Sequence, residues 1–395
     1  MQYQLIQQGD DNGNGMIVKF RLPSGLEIFS LPTKNHYGGH WDLGPTWNYA
    51  VMADEPFLVD AGRYGQGGHL LKMIEAAGLR AADLAFVLIS HGHEDHDGGL
   101  AELVGHTHLK VKAHAVYDLL IRQYPSFAPR GNKQHFPAKC WHCFMPETFY
   151  TQNCLPYHGV LQSLKVETVG DGGNPLGTDM ETWHLPGHAP DSLVVALGDE
   201  GLIVGDVLLP DITPWPTCVA LYQDVSEILA PTYPDAKKIY GLLRYIRSLG
   251  QLKRISQRQS AGMVFPAHRL FYQGEWRTID IACRIEALLE HHVQRCAAIL
   301  DILRSGPKTA EQIAREHFEA SLLEGFGHLM AANEINSHCE LMLEAGDLLA
   351  TEDGRYMATG ASGFEALIHS AATPSATRFN SSSPSGAKNQ EAPYE

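Results

Sequence analysis

The run His91-Gly92-His93-Glu94-Asp95-His96 constrains this chain more than any other stretch of it. It follows directly on the apolar segment Ala85-Phe86-Val87-Leu88-Ile89 and precedes Asp97-Gly98-Gly99. A short apolar run bounded by glycine reads as a buried strand that stops at a turn. Imidazoles and a carboxylate placed there are aimed at one small volume, and borderline divalent metals take both donor types. The spacing cannot close a single tetrahedral site with every side chain. It suits two adjacent ions, the first taking His91 and His93, the second Asp95 and His96. A solvated histidine cluster would need neither the strand before it nor the glycines after it.

His-x-His-x-Asp-His at a strand end resembles the signature of the metallo-β-lactamase superfamily. Leu185-Pro186-Gly187-His188-Ala189-Pro190-Asp191-Ser192 resembles that family's third motif, which implies His188 as the last ligand of the first metal. Leu202-Ile203-Val204-Gly205-Asp206 resembles the segment whose aspartate bridges both metals, and Met263-Val264-Phe265-Pro266-Ala267-His268 the strand bringing the final histidine to the second. The resemblance thus implies His91, His93, Asp95, His96, His188, Asp206 and His268 as ligands, with Asp95 and Asp206 also the catalytic carboxylates. One motif departs from the pattern: the usual Pro-Gly-His-Gly reads Pro-Ala-His-Arg here, which keeps the ligand and changes the loop around it. Asp60, in Phe57-Leu58-Val59-Asp60-Ala61-Gly62, resembles the family's aspartate that accepts a hydrogen bond from the outer nitrogen of a metal-bound histidine. An ordinary strand-end turn is the other reading of Asp60. The implied fold is α+β, a four-layer αββα sandwich with the metals at one edge.

Two close dications sharing a water would lower its pKa enough to give hydroxide at neutral pH. That chemistry cleaves a carbonyl substrate without a side-chain nucleophile, and the chain has no Gly-x-Ser-x-Gly elbow to compete. The expectation is a dinuclear metal-dependent hydrolase acting on a small molecule, foremost a thioester of the acyl-CoA or acyl-glutathione type. Zinc is the first choice of metal, with iron or manganese the alternatives. Two other functions stay open: a single-stranded RNA endoribonuclease, and a non-hydrolytic iron oxidoreductase of the same fold. A binding module that kept the fold and lost the chemistry is disfavoured by the intact ligands.

Composition fits a soluble enzyme. The 395 residues are 44% hydrophobic and 19% charged, which supports a core and argues against overall disorder. A formal net charge of −15 repels polyanions as a whole-molecule field. Seven cysteines without repeating spacing are unlike a secreted disulfide framework. The polar N-terminus lacks a signal-peptide pattern, and no apolar run approaches the ~20 residues of a membrane span. A cytoplasmic protein without membrane association is expected.

Residues 16 to 60 read as short strands (Met16 to Leu22, Leu26 to Leu31, Asn48 to Ala53), and His69 to Ala77 as a helix. Residues 124 to 160 read as an irregular inserted loop, an aromatic wall with Trp141, Phe144 and Tyr150. Its Cys140-Trp141-His142-Cys143, with Cys154, His135 and His158 nearby, lacks the second cysteine pair of a structural zinc site. Ordinary loop packing is favoured over an extra metal. Leu208 to Pro214 and Arg284 to His292 resemble the lactamase-beta-2-like subgroup, and the segments that follow have the layout of a winged helix. The domains expected are 1–278 (catalytic), 279–362 (helical, winged-helix-like) and 363–395 (disordered tail). His292 lies on the stripe Ile285, Leu288, Leu289, Cys296, Ile299 and Leu303 and reads as packed, not ligating.

Between Ser305 and Gly360 stand three basic residues and ten acidic ones, so the winged helix cannot neutralise duplex DNA. Packing, or a homodimer contact, suits it better. One basic stretch stands out, from Lys237 to Arg258, with no acid in it. An apolar stripe (Ile239, Leu242, Leu243, Ile246, Leu249) places the charges on the outer face of one helix. They form either a solvated face or an anion site at the cleft rim, for which Lys237, Lys238, Arg244 and Arg269 are the candidate substrate contacts.

Overall fold

The computed structural model describes residues 2–36, 42–122, 152, 155–172, 176–177, 179–220, 225–258, 262–325 and 327–373. Four strands open it as an antiparallel meander: β1 (Gln2–Gln7), β2 (Ile17–Arg21), β3 (Glu27–Thr33) and β4 (Thr46–Val51). The same sheet continues through β5 (Phe57–Val59), antiparallel to β4, then β6 (Phe86–Leu88), β7 (Lys110–His114) and β8 (Val166–Val169). These last four run parallel, so their C-terminal ends share one edge. Parallel neighbours need crossovers, and helices supply them: α1 (Gly67–Ala76), α2 (Glu94–Asp97), α3 (Leu100–His106), α4 (Ala115–Ile121) and α5 (Leu155–Leu161).

A second sheet has the order β12-β11-β10-β9, built from β9 (Met180–His184), β10 (Leu193–Leu197), β11 (Gly201–Gly205) and β12 (Met263–Pro266). β10 is antiparallel to both β9 and β11, and β12 is parallel to β11. Between β11 and β12 lie α6 (Ser226–Leu229) and α7 (Leu242–Ser256). A small hairpin, β13 (Phe271–Tyr272) with β14 (Glu275–Trp276), leads to the C-terminal helices α8 (Ile281–Leu303), α9 (Ala310–His317) and α10 (Gly327–Glu344). A hairpin of β15 (Leu348–Ala350) and β16 (Tyr356–Ala358) and then α11 (Phe364–Ala372) close the described chain.

Alternation along the strands makes the layers, because successive side chains leave opposite faces of a sheet. Phe57, Val59, Phe86 and Leu88 meet Val195, Ile203 and Phe265 between the sheets. Leu58 and Val87 face the other way, onto Leu70, Ile74, Leu103 and Tyr117 of the helices over the first sheet. Val194, Leu202 and Val204 do the same against Ile246, Leu249 and Leu288 over the second. Helices, sheet, sheet, helices: this is the expected αββα sandwich. The core over the second sheet runs on without a break into α9, α10 and α11.

Three expectations change. Residues 155–161, read as loop, form α5 and bury Tyr157 and Leu161. Residues 364–372, read as the start of a disordered tail, form α11, because Phe364 and Ile368 lie one turn apart and are both buried. Its last turn sits so close to α7 that a Cβ on Gly250 would lie 2.2 Å from the Ala372 carbonyl oxygen. Lys237 and Lys238 are not on the helix with Arg244; they occupy a 3-10 turn, Ala236–Lys238, cut off from α7 by Gly241 at φ 89°. His292 is buried on its apolar stripe as expected. The readings for His135, Cys140, Trp141, Cys143, Phe144, Tyr150 and Cys154 lie outside the described residues. Among the described residues no helix is long and apolar enough to cross a membrane.

Candidate metal centre

Four strands stop at one edge and deliver the site. Asp60 follows β5, Ser90 to His96 follow β6, Asp206 follows β11 and His268 lies just past β12, while His188 sits on the β9–β10 loop. Two glycines bring these segments together. A Cβ at Gly98 would fall 2.3 Å from the Tyr64 nitrogen, and one at Gly99 2.3 Å from the Ala61 carbonyl, so only glycine lets the histidine run lie against the segment after β5.

Seven donors converge there in three overlapping groups: His91, His93 and His188; His91, His96 and Asp206; Asp95, His96 and His268. In the first, His93 Nδ1 lies 3.1 Å from both His91 Nε2 and His188 Nε2. In the last, His268 Nε2 is 3.2 Å from Asp95 Oδ2, and His96 Nε2 is 3.7 Å from it. Asp206 stands between the two, its Oδ2 3.4 Å from His188 Nε2 and its Oδ1 3.4 Å from His268 Nε2 and 3.6 Å from His96 Nε2.

The outer nitrogens of His91, His96, His188 and His268 are spoken for, and this fixes which nitrogen of each faces inward. His96 Nδ1 donates to Asp60 Oδ2 at 2.8 Å, His188 Nδ1 to the Trp215 carbonyl at 2.8 Å and His268 Nδ1 to the Pro45 carbonyl at 3.2 Å. The Ser90 hydroxyl donates to Asp60 Oδ2 at 2.8 Å and stands 3.1 Å from His91 Nδ1, which it can therefore accept from. Asp60 also takes the Ser90 N–H at 2.7 Å. Of its two readings the geometry supports the orienting one. Asp60 holds φ 65°, a left-handed conformation that short polar side chains tolerate best. Asn35 donates to Asp95 Oδ2 at 2.8 Å, and Asp191 accepts from the Gly92 N–H at 2.9 Å.

The fields inside the cluster are strong. Burial, with His96 and His93 beside it, keeps His91 well below the ordinary imidazole range, and burial takes His93 down to about 4. Burial also opposes a cation on His268, but Asp206 and Asp95 outweigh it and push the ring to about 9. His96 is raised in the same way, against burial, by Asp95, Asp206 and Asp60. Burial alone would raise Asp95 and Asp206; the neighbouring His96 and His268 hold both below the usual carboxylate range.

A metal fits this set. His96 Nε2, His268 Nε2 and Asp206 Oδ1 are buried and make no well-formed hydrogen bond, although they sit within a few ångströms of one another. Buried polar atoms left so are costly unless something binds them. Among the described residues no lysine or arginine pairs with Asp95 or Asp206. Imidazole nitrogen with carboxylate oxygen is a donor set that zinc, iron or manganese accepts.

The sequence profile of the metallo-beta-lactamase superfamily matches residues 41–254, more than half of the chain. The chain belongs to the metallo-beta-lactamase superfamily. Two solved structures share the fold. A metallo-beta-lactamase family protein from Thermus thermophilus is 23% identical, with 84% of this chain and 98% of that one covered at a TM-score of 0.61. A beta-lactamase domain protein from Burkholderia ambifaria is 18% identical, with 89% and 95% covered at a TM-score of 0.59.

Beyond the superfamily motifs, α10 reaches the site from the C-terminal helices. Glu340 accepts from the Val219 and Ala220 N–H groups at 2.8 and 2.6 Å and from the Cys218 thiol at 3.1 Å. Asn333 donates to the Pro216 carbonyl at 3.2 Å, and Thr217 bonds Gly187 O through both its N–H (2.7 Å) and its hydroxyl (3.0 Å). The loop that carries the Trp215 acceptor of His188 is therefore clamped by a helix from outside the matched residues. Ser90, Asn35, Glu340 and the carbonyls of Pro45 and Trp215 escape sequence reasoning; Asp191 was visible inside the third motif but had no role assigned.

The four candidate substrate contacts separate. Lys237 and Lys238 are exposed on their 3-10 turn. Arg269 is engaged already: its guanidinium stacks 3.7 Å from the Tyr272 ring centroid, lies 3.6 Å from Asp211 and donates to the Asp42 carbonyl. It braces the loop after His268. Arg244 is not on an outer face but half-buried in the first turn of α7.

Proposed function

We propose that this protein is a dinuclear metal-dependent hydrolase of a small carbonyl substrate, foremost a thioester of the acyl-CoA or acyl-glutathione type. One observation carries the reading: Asp206 turns one oxygen toward His188 and the other toward His96 and His268, so two donor sets share a carboxylate. His91, His93 and His188 would hold one ion, and Asp95, His96 and His268 the other, with zinc first among the candidates. Bound there, two such cations supply Lewis acidity and an activated water at neutral pH.

The residues around them do the positioning. Asp60, Ser90, Trp215 O and Pro45 O lock the imidazoles of His96, His91, His188 and His268 so that one nitrogen of each faces inward. Asn35 pins Asp95, the candidate to pass a proton onward, by its 2.8 Å bond. Carboxylates bound to cations are weak acids, so a leaving group that needs little protonation would suit such a site best. A thiolate, with a free thiol pKa of about 8.5, leaves without a proton far more easily than an alkoxide or amine. That favours thioesters among carbonyl substrates. The net charge of −15 weighs against the ribonuclease reading.

Metal analysis of the purified protein, followed by a panel of acyl-CoA, acyl-glutathione, oxygen-ester and lactone substrates beside a single-stranded RNA, tests this. Two zinc ions per chain and fastest turnover of a thioester are expected. Cleavage of the RNA with no carbonyl substrate consumed, or one iron per chain with oxygen uptake, overturns it.

A further inference from the structure

A second polar cluster occupies the same edge of the sandwich, beside the metal centre and away from its ligands. His114 ends β7 and His184 ends β9, and their rings stack across the two sheets with centroids 3.6 Å apart and planes 18° from parallel. β7 neighbours β6, which ends in the histidine run, and β9 is two strands from β11, which ends in Asp206. With strands about 4.8 Å apart, the pair lies roughly 5–10 Å along the edge. Tyr233 stands 6.3 Å from each ring.

The hydrogen bonds set the protons on this pair. His184 Nε2 donates to the Pro190 carbonyl at 2.8 Å, and His114 Nδ1 accepts from the Val116 N–H at 3.2 Å. His114 therefore carries its proton on Nε2 and can donate it. Burial keeps both rings neutral, His114 down to about 3.

Arg244 comes near enough to this cluster for its charge to act on His184 and Asp171, and has no evident structural reason to be there. It sits in the first turn of α7, where the helix dipole repels a cation, and no acidic residue shares that turn. Its Nε is buried without a hydrogen-bond partner, and among the described residues it forms no ion pair. Burial and the neighbouring Arg247 lower its pKa to about 10, which only a remote attraction from Asp171 offsets. Asp171 is itself committed to the His184 N–H at 2.5 Å, and burial raises its pKa. A half-buried guanidinium whose Nε is buried and unpartnered, with no counterion among the described residues, is costly to keep unless a ligand completes it.

We propose that Arg244, the His114–His184 pair and Tyr233 form a subsite for an anionic group of the substrate, a carboxylate or phosphate. The subsite deepens the hydrolase reading, since it rests on it for the substrate's other end. A substrate that spans both places carries its acyl bond at the metals and its charge roughly one to two strand widths away. Arg244 supplies the charge, His114 Nε2 and the Tyr233 hydroxyl supply donors, and the stacked rings set the depth.

Binding is tested apart from turnover. In chelator-treated protein, inorganic phosphate or acetate is titrated while the melting temperature is followed. The wild type should gain stability with one of these anions. Arg244→Met should lose the response, Arg254→Met on the exposed face of α7 should keep it, and Arg244→Lys should keep part. Without anion, Arg244→Met should melt no lower than wild type, which guards against a folding defect. A wild type indifferent to both anions, or an Arg244→Met variant that responds equally, overturns the subsite. In the metal-loaded enzyme, S-carboxymethyl thioacetate is compared with its neutral S-hydroxyethyl counterpart. Arg244→Met should cost the anionic substrate about tenfold or more in kcat/KM, mostly through KM, the scale of one charge-assisted hydrogen bond, and spare the neutral one. Equal losses on both substrates overturn the subsite. If the anion binds through Arg244 but no carbonyl substrate is hydrolysed, the subsite stands and the hydrolase reading falls.

Discussion

Two clusters along one edge of the sandwich are electrically unfinished in opposite senses. At the metal centre, Asp60, Asp95 and Asp206 meet imidazoles, and among the described residues no lysine or arginine pairs with them. At the His114–His184 stack, Arg244 has no partnering anion among the described residues. The construction differs too. Four of the five histidines, His91, His96, His188 and His268, have the outer nitrogen fixed by a carboxylate, hydroxyl or carbonyl, so most of the first cluster is set before anything binds. The second is held by ring stacking and burial, with fewer bonds to its polar atoms. Chemistry that needs sub-ångström placement belongs in the first. Recognition that tolerates different partners belongs in the second.

The comparison breaks most completely at Asp206. Asp206→Ala removes the carboxylate shared by both donor sets. It should strip at least one metal per chain and cut turnover by more than the roughly hundredfold typical of losing a residue behind the ligands. Metal analysis with steady-state rates checks this, and full occupancy with normal rates would refute the shared-carboxylate geometry. Glu340→Ala comes next. It leaves the Val219 and Ala220 N–H groups without their acceptor, a cost of about 1–3 kcal/mol in urea unfolding. Loosening the loop behind His188 should also speed metal loss to a competing chelator severalfold; an unaltered off-rate would mean the clamp is only structural.

The smallest effect lies in the second cluster. The His114 pKa is about 3 in the fold against 6.5 for a free imidazole. A depressed group adds stability above its unfolded pKa and surrenders it as pH falls toward the folded one. Stability should therefore decline between about pH 6.5 and 3, and His114→Gln should flatten that decline in a series of melts. Parallel curves for the two proteins would show that the ring charges without unfolding.

What could be read in the sequence follows physical lines. The seven candidate donors were legible because all but His188, which sits on the β9–β10 loop, closely follow an apolar strand, and strand ends aim side chains. Their supports were not: the partners of His188 and His268 are backbone carbonyls of Trp215 and Pro45, which any residue type would offer. The apolar stripe of α7 was legible, whereas its start depends on the positive φ of Gly241, and missing that places Lys237 and Lys238 on the wrong element. Composition hid α11, because Phe364 and Ile368 are few against the polar tail that follows them. Arg244 was legible as a basic residue and illegible as an unpaired one, since pairing is a property of the fold.

The reach of α10 into the loop behind His188 has a consequence for anyone dissecting this protein. A fragment trimmed where the helical unit begins would keep every metal-binding side chain and lose Glu340 and Asn333, which anchor the loop. Where the polypeptide can be cut and where the chemistry stops are different places. The last third of the chain helps hold the donor set around His188 in place.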